Sequence, residues 1–514
     1  MTGPSVQAGL RRAVWLLFLA AFACIFLVIG LRGHLDLSVR RLAFCALLAA
    51  GAFALRRFLP LVDWLSPGRW RAVFGGGLAL LLVLQLGSGF LLLQDLTTSP
   101  FDTEAVLRTA TELAQGTVPA LYNDYFASVD TNVFCMFVLY WMYRPVYLLT
   151  GATGPAWAMG LNVLCLFTAA VCVCGAAGLL WGRRGKAAAL VLCLVFLPYY
   201  IFTAFVYTDT MAAPLVAGSL WAFLALEAQW CHLSRRARLL GCAGLGILVG
   251  AAFLMKGNAL LLYPAFAVYL ALRPGFLAGL RRALSSALAA LLLFCLGSAA
   301  VIFGFNAYKW NCGLLDLSLY DSMHTPATHW IMMGLENDGA FNNESFTYTG
   351  RYPTIEEKKA ANLARIRTNL EHLLSSPQSL AWLFFTKAET DWADGLYTAP
   401  QMVNLAPVQR TWLHEWLCVD GTHAGLTADF GQAVYWLLWA GAFAAAARGI
   451  LNRRRTGDHG LFFCTICLLG NLAFLTLWEA NARYPFCYSC CLLLFGAALL
   501  AAPRSEEQGT SHRV

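Results

Sequence analysis

The chain has 514 residues, of which 59% are hydrophobic and only 12% charged, with a formal net charge of +8. A charged fraction about half the roughly 25% of an average soluble domain excludes a soluble globular protein and points to a polytopic membrane protein. The basic surplus lies in short clusters between apolar runs, the pattern of cytoplasmic loops, so no nucleic-acid partner is expected.

Most of the seventeen cysteines, including Cys24, Cys45, Cys165, Cys172, Cys174, Cys193, Cys242, Cys295, Cys464 and Cys467, sit inside apolar runs as small packing residues. No structural zinc site is expected among them. Cys312 and Cys418 share one long polar segment, and sequence alone does not say whether they pair.

In chain order, Arg11 and Arg12 precede an apolar run over 13–31, too long for a signal peptide core, which reads as a first spanning helix with a cytoplasmic N-terminus. A weak run over 42–55 returns to Arg56, Arg57, Arg69 and Arg71, and 73–93 leads out again. The positive-inside rule thus places the polar stretch 94–132, with Asp102, Glu104, Glu112, Asp124 and Asp130, outside. Counting 133–150 as a span would put Trp181–Lys186 (WGRRGK) outside as well. We therefore expect 133–150, with Arg144 and Pro145, to be a half-inserted helix of the same outer loop, 95–155.

Alternating runs then continue to the C-terminus, with cytoplasmic basic clusters at Arg183, Arg184 and Lys186, at Arg235, Arg236 and Arg238, at Arg273, Arg281 and Arg282, and at Arg448 and Arg453–Arg455. The count comes to about twelve spans with both termini cytoplasmic. The expected architecture is an all-α polytopic bundle in three parts: a transmembrane module over 1–305, an outer loop domain over 306–431, and closing helices with a cytoplasmic tail over 432–514. Within the loop domain, Thr354 and Glu357 have capping-box spacing, and Ile355, Leu363, Ile366, Leu370 and Leu373 recur at helical period.

Asp102 and Glu104 precede an amphipathic pattern, Val106, Leu107, Ala110, Leu113 and Ala114, so they suit the first turn of a helix. Asp209 lies at the outer end of another span, Lys256 follows a span and Arg483 precedes one. Each has a structural alternative: Asp209 as a helix cap, Lys256 snorkelling to the interface, Arg483 paired with Glu479 four residues earlier. Their convergence on one face argues instead for an anionic ligand with carboxylate chemistry, because charge beside hydrocarbon is costly.

These residues resemble the GT-C class of integral-membrane glycosyltransferases, in particular family 39, which includes protein O-mannosyltransferases and aminoarabinose transferases. FDTE matches the family's acidic motif in position and first acid, although Thr103 separates acids that are usually adjacent. YTDT follows a Pro198-containing span as the second family Asp does, FLMKGNALLLYP carries the Lys-Gly pair, and NARYP the late Arg-Tyr-Pro element. YNDYFASVDTN and THWIMMGLENDG are similar to uncharacterised family 39 proteins of Gram-positive bacteria.

The resemblance implies inverting transfer of a sugar from a polyprenyl-phosphate donor to an extracytoplasmic glycan, lipid or protein at the plasma membrane. It implies Asp102 as base with Glu104 as partner, Asp209 as an orienting group or metal ligand, and Lys256 with Arg483 on the lipid phosphate. Asp124, His324, His329, Trp392 and Asp394 are candidate donor or acceptor contacts, with loop packing the alternative for the histidines and an interfacial aromatic belt for Trp392. No cofactor motif is present; a divalent metal is the cofactor left open. A lipid-linked-sugar flippase is the competing reading, for which ionisable groups belong near the bilayer midplane.

Overall fold

A computed structural model describes residues 3–32, 37–117, 122–273, 276–451 and 458–501, and every regular element among them is helical. Arg453–Arg455 and the tail at 502–514 lie outside the described residues. Eleven of the described helices are long and apolar enough to cross a membrane, so the protein is a multi-pass membrane protein.

Helix α1 (Gly3–Leu31) and α2 (Val39–Phe58) are followed by α3 (Pro67–Leu91). Ser38 and Ser66 cap α2 and α3, their hydroxyls accepting from the backbone N–H groups of Arg41 and Arg69. The window around α2 is only 6% buried within the protein, and Leu47 and Phe53 point outward, as hydrocarbon-facing residues do. The amphipathic helix α4 (Thr103–Gln115) buries Val106, Leu107, Ala110, Leu113 and Ala114, the stripe its sequence specifies, and ends at Gly116 with φ +84°.

Helix α5 (Val133–Thr150) is the segment expected to be half-inserted, and length and composition alone do not separate it from the other candidate spans. Its contacts are distinctive. Phe134, Phe137 and Trp141 all converge on Phe305, and Phe137 and Trp141 also meet Tyr308. Arg144 ties α5 to α4 by donating to the Ala114 carbonyl at 2.7 Å.

The expected spans 156–181 and 187–205 are two helices meeting at a sharp break at Trp181 and Gly182, together labelled α6 (Pro155–Val195), and the second ends at Val195 instead of 205. Gly182 has φ +61°, and a Cβ on Gly185 would lie 2.2 Å from the Ala177 carbonyl oxygen. The two halves thus fold back as an antiparallel hairpin whose turn is WGRRGK. Counting the hairpin as two gives twelve candidate passes among the described residues with α5 included, and Gly257–Ala271 is a further, shorter apolar element.

Helices α7 (Thr208–Gln229) and α8 (Arg235–Met255) follow, the latter packed along α9 (Phe276–Asn311). Between residues 306 and 431 come α10 (Ala327–Gly334), α11 (Ile355–Ser375) and α12 (Pro377–Trp392). Thr354 caps α11 as its spacing with Glu357 predicts, but of the expected apolar face only Leu373 is buried, while Leu363 and Leu370 are exposed. The chain closes with α13 (Ala424–Leu451), α14 (Asp458–Leu477) and α15 (Ser489–Ala501). The last span, Tyr484–Ala501, is 89% buried and forms the centre of the bundle between α6 and α13.

Candidate functional site

Asp209 stands in the first turn of α7, where the helix dipole favours a negative charge, and it is completely buried. Its carboxylate is shared by two cations brought from distant segments. Lys256 Nζ, at the C-terminal end of α8, lies 2.5 Å from Oδ1, and Arg483 Nη1, just ahead of the final span, donates to Oδ2 at 3.1 Å. Lys256 is therefore not snorkelling, and Arg483 forms its ion pair with Asp209 rather than with Glu479. Asp209 thus faces two cations, Arg483 buried and Lys256 largely so, and the buried Glu479 carboxyl also lies within their field.

Aromatic rings complete the enclosure. Arg483 Cζ lies 4.8 Å from the Phe101 ring centre, 5.7 Å from Phe205 and 5.9 Å from Tyr207, and Lys256 Nζ sits 4.6 Å from that of Tyr484. The Tyr484 hydroxyl donates to Glu479 at 3.0 Å. Burial pushes the Glu479 carboxyl up to about 7, against the opposing pull of Arg483 and Lys256.

Asp102 is joined to this cluster through tyrosines. It precedes α4, yet its side chain caps no helix N–H; instead the Tyr207 hydroxyl donates to Oδ2 at 3.3 Å, and Tyr125 also bonds the carboxylate. Asn132 Nδ2 donates to both phenol oxygens, at 2.6 Å to Tyr125 and 2.9 Å to Tyr207, orienting their hydroxyls toward the acid. Asp102 itself is exposed to solvent. Surrounding protein raises its carboxyl above the usual range, while the Tyr207 bond, the Arg483 charge and the Tyr125 bond oppose that shift.

Other sequence candidates are placed differently. Glu104 is turned to Arg108, at 3.4 Å, one helical turn on, and not to Asp102. Asp124 is exposed in the short helix Asn123–Ser128. His324 and His329 are separated by Pro326, which begins α10. His324 Nδ1 lies 3.8 Å from Asp130, which also accepts from Tyr320 and faces Lys309 Nζ at 3.5 Å; His329 is buried, with Nδ1 2.8 Å from the Thr349 hydroxyl. Burial depresses both imidazoles, His329 to about 4, so it is neutral at pH 7.

Trp392 belongs to the core and not to an interfacial belt: it is 1% exposed and packs on Phe22 and Trp439. Asp394 spends both oxygens on the N–H groups of Leu396 and Thr398, holding a turn in which Tyr397 and Thr398 have φ +56°. Cys312 and Cys418 are both free thiols.

A divalent ion at Asp209 does not fit these residues. Both oxygens are taken by cations, and among the described residues no group of three or more His, Cys, Asp or Glu could hold a metal.

The family described as "Conserved hypothetical integral membrane protein" matches residues 57–503. The chain belongs to this family. No curated protein sequence matches it. Among solved structures, the chain is similar at TM-score 0.44 and 14% identity to the archaeal oligosaccharyltransferase AglB from Archaeoglobus fulgidus, a structure with an inhibitory peptide and a dolichol-phosphate. The alignment covers 83% of this chain and 50% of that one, so the chain spans about half the neighbour's length.

In this integral membrane protein, the site thus combines the Asp209, Lys256 and Arg483 ion cluster with an exposed Asp102 carboxylate hydrogen-bonded by Tyr207. Tyr125 and Asn132 lie in YNDYFASVDTN and Tyr207 in YTDT, so the motifs contain them, but nothing in the motifs marks their hydrogen bonds to Asp102.

Proposed function

We propose that the protein is a GT-C-type glycosyltransferase that moves a hexosyl or pentosyl unit from a polyprenyl-phosphate donor to an extracytoplasmic glycan, lipid or protein. The observation that carries this reading is the pair Lys256 and Arg483 held on a single buried carboxylate beside Asp102. Two cations converging on one point suit the donor's phosphate, and the enclosing rings of Phe101, Phe205 and Tyr207 suit an apolar carrier. The motif resemblance to family 39 supports the same assignment.

In the reaction, Asp102 takes the acceptor hydroxyl's proton as the new bond forms at the anomeric carbon. The bond from that carbon to the phosphate oxygen breaks, and the electron pair leaves with the phosphate, stabilised by Lys256 and Arg483. A single displacement inverts the anomeric centre. In this reading the protein lies in the plasma membrane with both termini cytoplasmic, and 95–155 and 306–431 face outward. The charges stand at helix ends and not mid-span, which favours transfer over flipping.

Reconstituted in proteoliposomes with polyprenyl-phosphate sugars, Asp102→Asn is expected to lower transfer by at least about 100-fold, the usual contribution of a general base. Full transfer by Asp102→Asn would remove the catalytic assignment.

A further inference from the structure

The link between α14 and the final span, residues 478–483, is irregular backbone with the phosphate-binding candidate Arg483 at its end. Two residues of the outer helix α12, one turn apart on the same face, hold it. Lys387, 1% exposed, directs Nζ to the carbonyl oxygens of Gly334 at 2.7 Å, Thr476 at 3.0 Å and Trp478 at 2.7 Å. These carbonyls lie at or just past the C-terminal ends of α10 and α14, where helical partners run out and the dipole favours a cation. All three ammonium protons are thereby used, so Lys387 has none left for a substrate.

Asp391 Oδ1 accepts the Asn481 N–H at 2.8 Å, and Asn481 Oδ1 in turn accepts the Arg483 N–H at 3.2 Å. The same link is pinned from the other side, where Ala480 N–H donates to the Gly339 carbonyl at 2.8 Å. Two glycines make room for this arrangement. A Cβ on Gly334 would meet the Leu477 carbonyl oxygen at 2.5 Å, and one on Gly339 would meet the Lys387 stem at 2.6 Å.

We propose that Lys387 and Asp391 are positioning residues that fix the 478–483 link so that the Arg483 guanidinium is held on Asp209 and over the Phe101 ring, ready for the donor phosphate. The inference rests on the phosphate role given to Arg483 above. It couples the outer domain to the membrane site, because α12 carries both residues and α10 supplies the Gly334 carbonyl.

The test uses the full chain in lipid nanodiscs, with binding of a polyprenyl monophosphate measured against the uncharged polyprenol. Asp391→Leu is expected to weaken monophosphate binding by about tenfold, the scale of a lost hydrogen bond to a charged group. Asp391→Asn, whose amide oxygen accepts the same N–H, restores it, and polyprenol binding is unchanged. Asn481→Ala, which leaves the buried acid in place, shows the same selective loss and serves if Asp391→Leu does not fold. Wild-type monophosphate binding by both Asp391→Leu and Asn481→Ala, or equal losses for monophosphate and polyprenol, overturns the positioning role. If Arg483→Ala itself binds the monophosphate as wild type does, the phosphate reading falls instead.

Discussion

Tyr207→Phe removes a hydroxyl that stabilises the Asp102 carboxylate while leaving the ring edge-on to Phe101 and near Arg483. Burial already raises this carboxyl and the Tyr207 bond counteracts the shift, so losing the bond moves the pKa further up. A base works ionised. The acid limb of the pH–rate profile should therefore move to higher pH in Tyr207→Phe, with transfer recovering at alkaline pH; an unmoved limb would separate Asp102 from the rate. Asp209→Ala is a different kind of change, because it strands two buried cations. We expect a loss of about 3–5 kcal/mol of stability, read as a lowered thermal midpoint in detergent, with Asp209→Asn intermediate.

At the scale of elements, the α6 hairpin determines where α7 begins and hence where Asp209 sits. Its turn depends on close approach at Gly185, whose added Cβ would meet backbone and not a side chain that can rotate away. Gly185→Ala should cost about 1–3 kcal/mol in thermal stability, whereas Gly160→Ala, in open space within the same element, should be near neutral. The hairpin was readable from WGRRGK as two spans with a basic turn. The exact point of reversal was not, because it is concentrated in the unusual dihedrals of Trp181 and Gly182. Helix α4 was legible residue by residue, since an amphipathic stripe on a surface helix encodes its own buried face. Helix α11 was legible at its cap but less so at its face, where Lys358 and Asn362 are buried and Leu363 is not.

Across the whole molecule, Trp392 joins α12 to the spanning helices, packing on Phe22 of α1 and Trp439 of α13. Trp392→Ala should destabilise the protein by about 3–5 kcal/mol. As a core residue it should lower the thermal midpoint without changing which acceptor sugars are used, and an altered acceptor preference at unchanged stability would return it to the site. The membrane class, the passes and the segments bearing Asp102, Asp209, Lys256 and Arg483 were determined by the sequence alone, because apolar length, charge clusters and helical period are local properties of the chain. Which charges meet was decided only by the tertiary structure. Asp209, Lys256 and Arg483 come from three separate segments, and Glu104 lies beside Asp102 in sequence yet turns to Arg108. Ion pairing in a buried site follows from which helix ends packing brings together, and no local pattern records that.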